Sequence, residues 1–204
     1  MLSNDVEPWN KNKLIGQKAP LRLNEIWAIR VRLELEGKVR DLALFNMAID
    51  SKLRACDLVR LRVADVTHGN SGVLSRTTVV QRKTGRPVQF EITARTRKTV
   101  SALITSDRHP GHGYLFRSRL RNSEHLSTRQ YARIVHGWVE SIGLESAKYG
   151  THTMRRTKAS LIYRQSKNLR AVQLLLGHTK LESTVRYLGV EVDDALQLAE
   201  QMEV

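Results

Sequence analysis

The sequence predicts an α+β fold that is mainly helical, with one small antiparallel sheet. Three observations carry that expectation. Apolar residues recur at three- and four-residue spacing through most of the chain. Alternation with a period of two is confined to one stretch, residues 63–92, which Gly69, Gly72, Gly85 and Pro87 interrupt. The hydrophobic content of 41% over 204 residues suffices for one core and leaves no run long enough to cross a membrane.

Residues 1–19 are polar and aperiodic and read as a loose arm. From Leu21 to about Leu35, Ile26, Ile29 and Leu33 recur at helical spacing beside Trp27 and Val31, and Gly37 ends that helix. Val39–Ile49 reads as a largely buried second helix and Arg54–Leu61 as a third. VLSRTTVVQ and PVQFEIT read as two strands joined by the turn Arg82-Lys83-Thr84-Gly85-Arg86, with Val63–Val66 as a third strand. A helix is expected over Ala94–Ile104, then a loop and a short extended piece at Tyr114-Leu115-Phe116. Ser127 is a suitable N-cap for a helix that turns Tyr131, Ile134, Val135, Trp138 and Ile142 inward. Further helices are expected near 151–165, 168–176, 181–188 and 191–202. With no repeat, low-complexity tract or linker, residues 20–190 read as one domain, followed by an acidic C-terminal helix within 191–204.

Charge narrows the partner. The formal net charge is +14, an excess that favours a polyanion, and nucleic acid is the usual one. Residues 191–204 carry five acids and no Lys or Arg, so that tail is not expected on the polyanion. The single Cys56 allows no internal disulfide and supplies no zinc ligand set, which suits a reducing cytoplasm, and the N-terminus has no apolar signal core. No metal or cofactor is expected.

The stretch from Thr151 to Gly189 concentrates the chemistry. His152 and Arg155 lie three apart, so on a helix they share a face. Arg156 is four from His152, and spacing alone does not choose between the two arginines. Thr151 is placed to cap that helix, which would aim its N–H groups at an anion such as a phosphate. Gly177 reads as the left-handed stop of the next helix, with His178 at the sharply defined end, and Tyr187 follows nine positions later. Positive donors, imidazoles and a phenol with no carboxylate among them are equipment for breaking a phosphodiester without a metal.

His152-x-x-Arg155, Leu176-Gly177-His178 and Tyr187 resemble the second half of the active site of tyrosine recombinases, the phage-integrase family. The first half is present too. Arg54, with Asp57 three positions later and the run Leu61–Val66 leading toward the sheet, resembles the placement of that family's first arginine. The family more often has Thr-Gly-Leu before it, and here Ser51-Lys52-Leu53 is expected to alter the turn. The family's lysine lies on a hairpin, which points to Lys83, with Arg82 and Arg86 as neighbours competing for the role. The family register selects Arg155 over Arg156. Each residue also has an ordinary structural reading: Arg54 paired with Asp57, Lys83 solvated, His178 capping a helix, and Tyr187 in the core like Tyr131 and Tyr163.

The resemblance implies a site-specific recombinase for integration, excision or inversion, and a tyrosine-recombinase catalytic domain over 20–190. In that chemistry Arg54 and Arg155 clamp the scissile phosphate, His152 takes the proton of Tyr187 and His178 bonds the phosphate. Lys83 protonates the leaving 5′-hydroxyl, and a 3′-phosphotyrosyl link stores the bond energy, so no ATP is needed. The implied partners are double-stranded DNA and a homotetramer on two synapsed sites. The chain resembles short members such as the invertases that switch fimbrial promoters, for which an accessory DNA-bending protein is expected. The expected place is the cytoplasm, with the nucleoid. Arg117, Arg119, Arg121, Arg129, Arg133 and Lys158 are candidate backbone contacts, and the acidic last helix is expected to dock on a neighbour or pack in cis. Competing classes are a DNA-binding regulator that kept the fold without the reaction and a type IB topoisomerase-like enzyme. An RNA-binding protein is a third class, for which stacking motifs are lacking.

Overall fold

A computed structural model describes residues 17–69, 72–106, 111–119, 123–189 and 200. Except for residue 200, the segment 191–204 expected as an acidic helix lies outside the described residues, as do all but the end of the N-terminal arm and Arg121.

Helix α2 (Val39–Ser51) is the axis of the domain, and every residue from Leu42 to Ser51 is buried. So continuous a buried run needs cover on all sides. Helices α1 (Leu23–Leu35), α5 (Ala94–Ser106) and α7 (Thr151–Ser166) supply it, together with strand β2 (Pro87–Glu91). From α6 (Thr128–Glu140), Trp138 sets its ring edge-on to Phe45 of α2, centroids 5.3 Å apart. Helix α6 starts where its cap residue predicts, because the Ser127 hydroxyl accepts from the Gln130 N–H at 3.1 Å.

The sheet has two strands, β1 (Arg76–Val80) antiparallel to β2, with Val79 opposite Val88. Val88 and Phe90 fill the core side of β2 while Gln89 faces out. Val63–Val66, expected as a strand, is instead a one-turn helix, α4. Its two valines are buried, but Asp65 accepts from the Arg62 N–H at 2.8 Å and closes the turn locally. The helix expected over Arg54–Leu61 is shorter, α3 (Ala55–Leu58), and the chain then turns toward the extended residues around Tyr114. Trp27 and Val31 are exposed rather than packed beside Ile26 and Ile29, and the Trp27 ring lies under Arg30 and Arg95.

A second, smaller core joins α7 to α8 (Leu169–Leu176) and α9 (Leu181–Leu188). Ala159, Val172 and Leu176 are its buried centre, and Tyr163, Tyr187 and Leu188 pack on it. Thr184 is the fully buried residue of α9, so little apolar area holds that helix down. The strap 17–21 adds to it: Gln17 donates to the Arg186 carbonyl, and the Leu21 N–H donates to Thr157 at 3.0 Å.

The turn before Arg54 keeps a tight left-handed geometry. Lys52 takes φ 54° and ψ 22° at the end of α2, a conformation that glycine adopts most readily.

Candidate active site

Helix α7 presents the first pair of residues. Its N-cap is Gly150 in an extended conformation, with Thr151 as the first helical residue. The Thr153 hydroxyl accepts from the Gly150 N–H at 3.0 Å, so the expected cap at Thr151 is corrected by one residue. His152 is exposed in the first turn, while Arg155 is 2% exposed and points inward. Arg155 donates through Nη1 to the Lys52 carbonyl and through Nη2 to the Leu176 carbonyl at 2.7 Å. The same Nη2 stands 3.5 Å from Nε2 of His178.

Arg54 is the N-cap of α3, half-buried, and reaches across to Gln81, with Nη1 to Oε1 at 2.6 Å. It does not turn back on Asp57. That carboxylate accepts from the Arg82 N–H at 3.0 Å and pins the β1–β2 hairpin to α3. Lys83 sits exposed on this hairpin, as do Arg82 and Arg86. Its charge reaches the site: together with the three arginines it contributes to lowering the pKa of His152.

Gln81 is the residue that sequence reasoning missed. It is fully buried, accepts from Arg54, and donates Nε2 to the Leu176 carbonyl at 3.2 Å. One carbonyl at the end of α8 therefore receives both Arg155 and Gln81, tying the two arginines into one frame. A polar residue at a strand end is ordinarily solvated, so nothing in its local sequence marks it. Gly177, expected as the left-handed stop, has φ 64°, and a Cβ there would come within 3.0 Å of the Gln81 amide nitrogen. Conformation and space both favour glycine at this point.

Tyr187 lies half-buried on α9 inside a cationic cage. Its ring meets His178 edge-on at 5.4 Å, with the guanidinium carbons of Arg155 and Arg156 at 5.8 and 5.4 Å from its centroid. The hydroxyl is buried, with the Arg155 guanidinium as its polar neighbour. Burial pushes its pKa up to about 12, although the surrounding arginines work the other way. Arg156 is also fastened from outside, donating Nη1 to the Lys18 carbonyl at 2.9 Å. A cavity of about 490 Å³ opens beside the phenol, lined by Gln17, Lys18, His152, Arg156, Ser183, Arg186 and Tyr187.

The imidazoles are kept neutral. Desolvation, then the charges of Arg155 and Arg54, hold His178 down at about 4. Desolvation and the neighbouring cations lower His152 below the usual histidine range as well. Burial brings even Arg155 down to about 10. Among the described residues no group of three or more His, Cys, Asp or Glu could hold a metal ion. The donors that face the phenol are cations and imidazoles, an arrangement suited to an anion with tetrahedral oxygens.

Lys158, expected to contact a nucleic-acid backbone, is committed elsewhere. Its Nζ lies 2.7 Å from Asp50 and 2.5 Å from Glu91 in a buried ion cluster, so it is withdrawn from that role. Arg117, Arg119, Arg129 and Arg133 are exposed as expected, and the last three line a cavity of about 580 Å³ at the start of α6.

The model of the phage integrase family matches residues 21–193, and the chain belongs to that family. It is 31% identical over 175 residues to YoeC of Bacillus subtilis, named as a probable integrase/recombinase, covering 85% of this chain and 91% of that protein. It is 27% identical over 191 residues to tyrosine recombinase XerC of Neisseria gonorrhoeae, covering 91% of this chain and 60% of that protein. Among solved structures, XerA recombinase superposes with a TM-score of 0.73 at 18% identity, over 91% of this chain and 65% of that one. XerH recombinase bound to its difH substrate superposes with a TM-score of 0.69 at 17% identity, over 92% of this chain and 56% of that one.

Proposed function

We propose that this chain is a site-specific DNA recombinase that cuts and rejoins duplex DNA through a 3′-phosphotyrosyl intermediate. The observation that carries the reading is the cage of Arg155, Arg156 and His178 around the phenol of Tyr187, with Arg54 tied into the same frame through Gln81. In support, XerC is named a tyrosine recombinase, and XerH was solved bound to its difH substrate.

The scissile phosphate enters the cleft beside Tyr187, and Arg54 and Arg155 bond its non-bridging oxygens. Their fixed charges stabilise the dianionic transition state most. The Tyr187 oxygen attacks phosphorus, the bond to the 5′ oxygen breaks, and the phenolic proton passes to neutral His152. Lys83 gives a proton to the departing 5′ oxygen. A 5′-hydroxyl of a second strand then attacks the phosphotyrosyl bond, regenerating the phenol with no ATP.

The catalytic set is therefore Arg54, Lys83, His152, Arg155, His178 and Tyr187, within a catalytic domain over 20–190. Double-stranded DNA is the partner, held by backbone contacts from Arg117, Arg119, Arg129 and Arg133, and four protomers act on two synapsed sites. An accessory DNA-bending protein assists, and the acidic segment 191–204 docks between protomers. No helix among the described residues is long and apolar enough to cross a membrane, and the working place is the nucleoid. The test is a nicked suicide duplex carrying inverted repeats from beside the gene, incubated with protein in EDTA. A covalent adduct that resists SDS and is lost in Tyr187→Phe supports the reading. Specific binding without an adduct would make the chain a DNA-binding regulator.

A further inference from the structure

Four charged residues outside the phosphate cleft form a closed, mostly buried cluster: Asp50, Lys52, Glu91 and Lys158. Lys52 is 0% exposed, and its Nζ donates to both Glu91 carboxylate oxygens at 2.9 and 3.0 Å and to the Asp50 carbonyl at 2.5 Å. Lys158 bridges Glu91 to Asp50. The other oxygen of Asp50 accepts from Thr93 N–H, Thr93 Oγ1 and Thr96 Oγ1 at 2.6 to 2.9 Å.

The backbone of Lys52 does a second thing. In its left-handed conformation it presents its carbonyl oxygen to Arg155 Nη1, and two residues later the chain places Arg54. A residue with a Cβ does not hold that conformation by preference. Here the ammonium group at the far end of the side chain is held by both Glu91 oxygens and the Asp50 carbonyl, so these bonds accompany the left-handed turn. We propose that Lys52 is a positioning residue, locked in the left-handed conformation by its ion pair with Glu91, and that its carbonyl fixes the guanidinium of Arg155 for the reaction. The proposal rests on the recombinase reading for the role of Arg155 but not for its geometry.

Removing the ammonium with and without removing the Cβ separates this role from a direct effect of charge. Lys52→Ala lacks both the charge and the clamp while keeping the Cβ, whereas Lys52→Gly takes the left-handed turn unaided. The readouts are the single-turnover rate of adduct formation on the suicide duplex, the DNA affinity, and the solvent exchange of the Arg155 guanidinium protons by NMR. Lys52→Ala should slow adduct formation about tenfold to a hundredfold and speed that exchange, with DNA affinity held. Lys52→Gly should recover most of both. Glu91→Gln should slow the wild-type background yet leave the Lys52→Gly background no slower than Lys52→Gly alone. Equal losses in Lys52→Ala and Lys52→Gly, or an equal effect of Glu91→Gln in both backgrounds, would overturn the proposal. Should the wild-type protein form no adduct, the recombinase reading fails, and Arg155 proton exchange still decides whether Lys52 positions that side chain.

Discussion

Nη2 of Arg155 stands 3.5 Å from Nε2 of His178, and the chemistry of the guanidinium assigns the tautomer of the imidazole. A guanidinium only donates, so Nε2 accepts, and the ring hydrogen sits on Nδ1, which donates to Thr184 Oγ1 at 3.1 Å. To donate to a phosphate from Nε2, the ring must change tautomer or gain a proton. A hydroxyl that can reverse its own hydrogen makes the tautomer change cheap. Thr184→Val, which keeps the shape and removes the hydroxyl, should slow adduct formation about tenfold with DNA affinity unchanged, measured by single-turnover cleavage. Equal rates would mean that His178 acts without its partner.

Acid should silence the proposed base late. The pKa of His152 is lowered, so the ring stays unprotonated and able to accept a proton below the usual histidine value of 6.5. The pH profile of the second-order cleavage rate, which reports the free enzyme, should be flat near neutrality and fall only below pH 6.5. His152→Gln should lower the plateau and remove that limb. A fall beginning above pH 7 would assign the proton to another group.

Lys83 competes with Arg82 and Arg86 for the leaving group, and chemistry can decide between them. A substrate with sulfur in place of the bridging 5′ oxygen departs as a thiolate and needs no proton. Lys83→Ala should therefore cut cleavage of the oxygen substrate by about a hundredfold while sparing the sulfur substrate. Arg82→Ala and Arg86→Ala should show no such difference.

Asp50 is a stability residue as much as a neighbour of the site. It is 2% exposed and satisfies Lys158, Thr93 and Thr96 together. Asp50→Ala strands that part of the cluster and should cost about 3–5 kcal/mol in urea unfolding. A loss under 1 kcal/mol would mean that the cluster relaxes into water.

The parts of this molecule that were legible in sequence are those with local causes. Gly177 stops α8 because it alone takes the left-handed angle easily, Ser127 caps α6 with its own hydroxyl, and alternation marks β1 and β2. His152, His178 and Tyr187 stand out because one short segment carries them all, while the choice of Arg155 over Arg156 came from the family resemblance and not from spacing. What was not legible depends on partners far along the chain. Gln81 matters through Arg54 and Leu176, Lys52 through Glu91, and Lys158 looked like a surface cation until Asp50 and Glu91 closed around it. At Val63–Val66 the β-branched residues suggested a strand, but the Asp65 carboxylate folds the segment on itself.

Tyr187 should carry the broken strand, and peptide mapping of the trapped adduct shows whether it does. After nuclease and protease digestion, mass spectrometry should find the nucleotide remnant on Tyr187, joined through a 3′-phosphate. A remnant on Tyr149 or Tyr163, or one joined through a 5′-phosphate, would contradict the account.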